Sequence, residues 1–157
     1  MKIGFFGHSN ISLTKEMTDI VKSKIVDILK NNEYVEFFLG GYGVFDFTCA
    51  SILKDLKNKY TNFKSIFVTP YISETYLNNN FSKELYDDCI YPPLENTPKK
   101  IAIIKRNYWI VDNCNFLIFN VSHSISGSYK ILEYAQQRKV KHLNIGDKKT
   151  ALKNAVF

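Results

Sequence analysis

Cysteine is scarce and never paired by spacing. Cys49, Cys89 and Cys114 are the only three in 157 residues, and none stands in a metal-binding or redox arrangement. This counts against a disulfide framework and reads as free or buried thiols in a reducing compartment. Histidine is equally thin, with three residues and no paired His or Cys motif, so neither a metal nor a cofactor is expected. No apolar run approaches the roughly 20 residues needed to span a bilayer. The apolar start, residues 2–6, is too short for a signal-peptide core and reads as a strand. These absences lead to the expectation of a cytoplasmic protein with no membrane partner. A Walker sequence and a G-x-G-x-x-G fingerprint are missing too, as are internal repeats, linkers and low-complexity tracts.

What the chain does have is a globular composition, 45% hydrophobic and 23% charged, at a length suited to one domain over residues 1–157. The formal net charge of +6 favours anionic partners. It does not single out nucleic acid, because the lysines are spread along the chain. The densest cluster, Arg138-Lys139-Val140-Lys141, reads as a solvated helix end.

Periodicity sets out the elements. Residues 2–6, 35–39, 65–69, 116–121 and 141–145 are short apolar runs, and each of the first four ends in a turn signal. Residues 12–30 carry Leu13, Met17, Ile20, Val21, Ile25, Ile28 and Leu29 on one helical face, with Ser12 and Thr14 as candidate caps. Helices are also expected over about 45–60, over 99–111 and from the turn at 122–128 to about 138. The last residues suggest a further short helix. Residues 70–98 show no clear period, are rich in Asn, Pro and Tyr, and suggest a lid-like insertion. Strands that are apolar throughout, alternating with helices, mark a parallel sheet covered on both faces. The expected fold is a Rossmann-like α/β three-layer sandwich with about five strands.

Three strand-to-helix turns carry the candidate chemistry. In open parallel sheets ligands sit beyond the carboxyl ends of the strands, and a helix start there favours an anion. The first turn offers Gly7, His8 and Ser9. The second, Leu39-Gly40-Gly41-Tyr42-Gly43-Val44-Phe45-Asp46, has three glycines that allow close backbone approach. Its Asp46 reads either as a capping carboxylate or as an acceptor for a ribose hydroxyl or a base. The third has His123 and Gly127 among Ser122, Ser124, Ser126 and Ser128, whose hydroxyls suit phosphate oxygens. Lys130 adds charge in the next turn, and Glu133 is a further carboxylate on that helix. Arg106 and Trp109, three apart, share a helix face on which a phosphate and a base could be held. Tyr71, Tyr76, Tyr86 and Tyr91 populate the 70–98 segment and are candidates to stack on a base. Asp46, Glu133 and His123 are the candidate acid/base groups, although no triad follows from spacing.

The ordered set Phe5-Phe6-Gly7-His8, Gly40-Gly41-Tyr42-Gly43-Val44-Phe45-Asp46, Tyr91-Pro92, Arg106-Asn107-Tyr108-Trp109 and His123-Ser124-Ile125-Ser126-Gly127 resembles the SLOG superfamily, in particular its small YpsA-related members from bacteria and phages. The resemblance covers nearly the whole chain. It implies a Rossmann-like fold and a nucleotide-derived ligand. Relatives include the Lonely Guy enzymes, which release a base from a nucleoside monophosphate, and the DNA-processing protein DprA. The Lonely Guy loop reads Pro-Gly-Gly-x-Gly-Thr-x-x-Glu. Here the glutamate position falls on Ile131, with Glu133 two residues further along. That departure counts against phosphoribohydrolase activity and leaves the loop's phosphate-cradle role.

The expectation is therefore a module that binds a nucleotide-type small molecule to sense, carry or sequester it. A nucleotide hydrolase is the alternative, and a DNA-binding protein akin to DprA ranks last. A homodimer or higher homo-oligomer is suggested by family analogy alone.

Overall fold

The computed structural model describes residues 1–147, so the expected C-terminal helix lies outside the described residues. The chain runs β1 (Lys2–Gly7), α1 (Lys15–Lys30), β2 (Val35–Leu39), α2 (Gly43–Leu56), β3 (Phe63–Val68), α3 (Glu74–Asn80), β4 (Asp88–Ile90), α4 (Lys99–Asn113), β5 (Phe116–Asn120), α5 (Gly127–Gln137) and β6 (Lys141–Asn144). The six strands form one sheet in the order β4-β3-β2-β1-β5-β6, and every pairing is parallel. This is the Rossmann-like three-layer arrangement, with one more strand than the apolar runs indicate.

Successive strand residues face opposite sides of a sheet, which is why these strands are apolar throughout. Phe5, Phe37, Phe67 and Ile118 pack with Val21, Ile25 and Leu53 of α1 and α2. Their neighbours Phe6, Phe38, Ile66 and Phe119 pack with Ile110 and Val111 of α4 and Ile131 and Ala135 of α5. Thr14 starts α1, its hydroxyl accepting from the Met17 N–H at 3.2 Å. No helix among the described residues is long and apolar enough to cross a membrane.

The 70–98 segment, expected to be irregular, contains α3 and the edge strand β4. Ser73 caps α3. The Asp87 carboxylate fastens the returning chain to β3, accepting from Ser65 N at 2.8 Å and Ser65 Oγ at 3.1 Å and meeting Lys57 Nζ at 2.6 Å.

The turn from β2 into α2 depends on glycine. Gly41 and Gly43 have φ of 67° and 89°, where side-chain-bearing residues are strained. A Cβ at Gly43 would lie 2.5 Å from Ser9 Cα, a backbone atom that cannot swing away. Gly43→Ala is expected to lose about 2 kcal/mol of stability through the left-handed backbone alone. Urea unfolding measures this, and wild-type stability in that variant would refute the tight β1–α2 contact.

Candidate functional site

β1 lies at the switch point of the sheet. The chain proceeds outward from it through β2, β3 and β4, then returns to its other side for β5 and β6. Diverging connections open a crevice beyond the carboxyl ends of β1 and β5. A cleft of about 480 Å³ occupies this place, lined by segments from all three glycine-bearing turns and from α4.

His8 follows β1 and is buried, at 3% exposure. Its Nε2 lies 2.9 Å from the Ser122 backbone N–H. An N–H can only donate, so Nε2 accepts and the imidazole is neutral, with its proton on Nδ1. Burial lowers its pKa below the ordinary value, and the neighbouring His123 lowers it further. The exposed His123 ring stacks on His8 with centroids 3.9 Å apart and planes 4° from parallel. Nδ1 of His8 makes no hydrogen bond among the described residues and is the donor left for a ligand.

The N-terminus of α5 forms the next wall. Ser126 Oγ accepts from Tyr129 N at 3.1 Å, and Ser128 Oγ donates to the Gly7 carbonyl at 2.6 Å. Both hydroxyls therefore have structural duties. Backbone amides become the helix's main offering to an anion. Gly127 lines the cleft and has no atom of the described residues within 4 Å of where a Cβ would stand.

Opposite lie the most unusual groups. Arg106, only 2% exposed, donates from Nη1 to Gly40 O at 2.8 Å and Val68 O at 2.6 Å. Its Nε donates to Asn107 Oδ1 at 2.8 Å. It thereby ties α4 to the ends of β2 and β3. Gly40 is required by that approach, since a Cβ there would lie 2.9 Å from Arg106 Cζ. Burial lowers the guanidinium's pKa, countered by the Asp46 carboxylate and the nearby tyrosines. A guanidinium remains charged at neutral pH. Its Nη2 has no partner among the described residues.

Asp46 sits in the first turn of α2 and is 7% exposed. Its Oδ2 accepts from Tyr42 N at 3.1 Å, so it caps the helix from within. Its Oδ1 is buried with no hydrogen-bond partner among the described residues. Burial raises the carboxyl from 3.8 to about 6, opposed by the Tyr42 N–H, the Arg106 cation and the N–H groups of Gly40 and Gly41.

Of the residues singled out in the sequence, the cleft brings together Gly7, His8, Ser9, Gly40, Asp46, Arg106, His123, Ser126, Gly127 and Ser128. Gly41 and Gly43 shape the turn without lining it. Phe45 is core, directly beneath Gly7. Trp109 faces away, stacked on Phe38 at 5.9 Å. Ser124, Lys130 and Glu133 are exposed and outside the lining. Sequence reasoning missed Asn107 and the apolar rim of Tyr42, Ile103 and Ile125, which are 67%, 41% and 89% exposed. Tyr42 and Ile125 are large apolar residues inside otherwise small or polar turns, a signal that was available. Among the described residues no group of three or more His, Cys, Asp or Glu could hold a metal.

No family model matches the chain, and no curated protein does. Solved structures do. DNA processing protein A from Helicobacter pylori, described for its single-stranded DNA binding mode, superimposes with a TM-score of 0.62 at 16% identity, over 90% of this chain and 63% of that one. DNA processing protein A from Streptococcus pneumoniae gives 0.59 at 17% identity, over 90% and 48%. The Moco carrier protein of Chlamydomonas rheinhardtii gives 0.53 at 16%, over 97% and 79%. The chain thus spans less than two thirds of either DNA processing protein. At these identities the likeness is one of fold.

Proposed function

We propose that the protein binds a nucleotide or nucleotide-derived small molecule in the switch-point cleft, as a small member of the SLOG superfamily. The observation that carries this reading is the buried Asp46 carboxyl, whose Oδ1 has no hydrogen-bond partner within geometric range among the described residues, lining the same cleft as the start of α5. One asks for a hydroxyl or amino donor, the other for an anion. A sugar phosphate offers both on one small framework. Arg106 Nη2 and His8 Nδ1 add a charged and a neutral donor for phosphate oxygens. The fold shared with proteins that handle nucleic acid or a small molecule agrees with such a ligand.

A second reading has its own support. A carboxyl raised to about 6 is poised for proton transfer near neutral pH, so Asp46 would serve as acid/base in cleaving the bound nucleotide. Single-stranded DNA suits the cleft less well, because Arg106 is the one Lys or Arg in its lining among the described residues, whereas a polyanion track needs several.

Calorimetric titration against nucleoside monophosphates, ADP-ribose and cyclic derivatives tests the proposal. At least one is expected to bind with about micromolar affinity, near −8 kcal/mol. Silence across the panel would overturn it. Chromatography of the same mixtures for released base or phosphate separates binder from hydrolase.

A further inference from the structure

A second cavity, of about 670 Å³, opens where β3 and β4 end, lined by Pro70, Tyr71, Tyr76, Tyr91, Leu94 and Thr97 among others. Its wall on α4 is made by Lys99 and Ala102, and the polar cleft begins on the same helix at Ile103 and Arg106. Ala102 and Arg106 are one helical turn apart and share a face, about 6 Å along the axis. The two cavities are therefore neighbours along one helix, with Arg106 between them. Its guanidinium feels both the Asp46 carboxylate of the first cleft and the Tyr76 and Tyr71 phenols of the second cavity.

The two spaces differ in chemistry. The first offers amides, imidazole, guanidinium and carboxylate. The second is walled mainly by three tyrosines, a proline, an isoleucine and a leucine, with Glu95 and Lys99 as its charged groups. Tyr71 is held in place, its hydroxyl donating to Lys99 O at 2.8 Å and its ring edge-on to Tyr76 at 4.9 Å. The half-buried Tyr91 lines the cavity and has no ring partner or side-chain hydrogen bond among the described residues. The Tyr76 hydroxyl also makes no hydrogen bond among them. Tyr86, by contrast, is core, packed on Phe67 and Phe81.

We infer that this tyrosine-walled cavity is a subsite for the planar heteroaromatic base of the same ligand whose phosphate occupies the switch-point cleft, with Tyr91 as its stacking platform. The inference rests on the nucleotide reading and specifies which part of the ligand goes where. A base has polar edges and two π-faces, which suits a pocket of aromatic walls with free hydroxyls at Tyr76 and Thr97. A ligand that fills both spaces runs along α4, from Arg106 in the first to Ala102 in the second.

The test titrates the full chain with ribose 5-phosphate, with each common nucleoside monophosphate and with the matching nucleosides. At least one monophosphate is expected to bind about tenfold or more tightly than ribose 5-phosphate, the usual yield of one stacking contact. Tyr91→Ala is expected to erase that gain and leave ribose 5-phosphate binding within about twofold, whereas Tyr91→Phe retains the gain. Should Tyr91→Ala melt at the working temperature, Thr97→Trp, which fills the cavity from its rim, gives the same reading. A gain that survives both substitutions, or no gain for any base, overturns the subsite. Failure of ribose 5-phosphate to bind refutes the phosphate assignment of the polar cleft alone. In that event, nucleoside binding lost in Tyr91→Ala still upholds the aromatic subsite, and no nucleoside binding removes it as well.

Discussion

Replacing Arg106 with methionine is expected to lower stability by about 3 kcal/mol and to weaken ligand binding about 100-fold. Methionine keeps most of the length and apolar stem, so packing of α4 against the ends of β2 and β3 is largely preserved. What disappears is the donor that serves the carbonyls of Gly40 and Val68 at once. Each buried acceptor left unpaired costs about 1–3 kcal/mol. Relief of guanidinium desolvation offsets part of that. Binding falls as well because Arg106 supplies the one full positive side-chain charge of the cleft among the described residues. Removing it also takes away a group that holds the Asp46 pKa down, so that carboxyl rises above about 6. Thermal melting and calorimetry check the two parts separately. An Arg106→Met protein that melts like the wild type and binds the same ligands equally well would refute the role given to this side chain.

The second large effect is a trade of stability against binding at Asp46. Its carboxyl has a folded-state pKa raised from 3.8 to about 6, so the folded protein holds the proton more tightly than the unfolded chain. The associated stability is complete below about pH 4 and is lost as pH rises through about 6. At about 1.4 kcal/mol per pH unit, the loss is about 3 kcal/mol. Asp46→Asn retains an acceptor for the Tyr42 N–H and carries no charge. It is expected to be more stable than the wild type by up to about 3 kcal/mol at pH 8, the difference shrinking toward zero near pH 4. Ligand affinity is expected to drop about tenfold or more, because a hydroxyl bonds a carboxylate more strongly than an amide. Denaturant unfolding across pH 4–8 reads the first effect. Parallel pH profiles for the two proteins would show that Asp46 ionises in the fold without penalty. In the double variant with Arg106→Met the two effects should not add, since the charges influence each other.

Much of the sheet could be read from the chain because a doubly covered strand leaves its mark in consecutive residues. Phe5-Phe6, Phe37-Phe38 and Ile66-Phe67 each send one side chain to either face. β4 and α3 left no such mark. β4 has three residues, none buried, and α3 buries none of its seven, so neither carries a period. Convergence of the three turns was legible because topology alone brings the ends of parallel strands together. The partners of Arg106 were not, since its acceptors stand 66 and 38 positions away. Nor was the diversion of Trp109 to Phe38, because spacing along a helix gives a shared side and not what lies across from it. The serines at 126 and 128 suggested phosphate contacts, whereas the folded chain uses their hydroxyls for a cap and a strand-end carbonyl. Composition cannot distinguish these uses.

The modest lengths of the outermost strands bear on how this molecule survives at high concentration. A sheet's borders expose unsatisfied amides and carbonyls that recruit foreign chains into cross-β stacks. Here one border offers three residues and is followed, after Tyr91, by Pro92 and Pro93, which have no N–H to give. The other offers four residues and begins with the exposed Lys141. An invading strand would find too few rungs on either of these borders to repay its ordering, so fibril-like growth from the native edges is disfavoured.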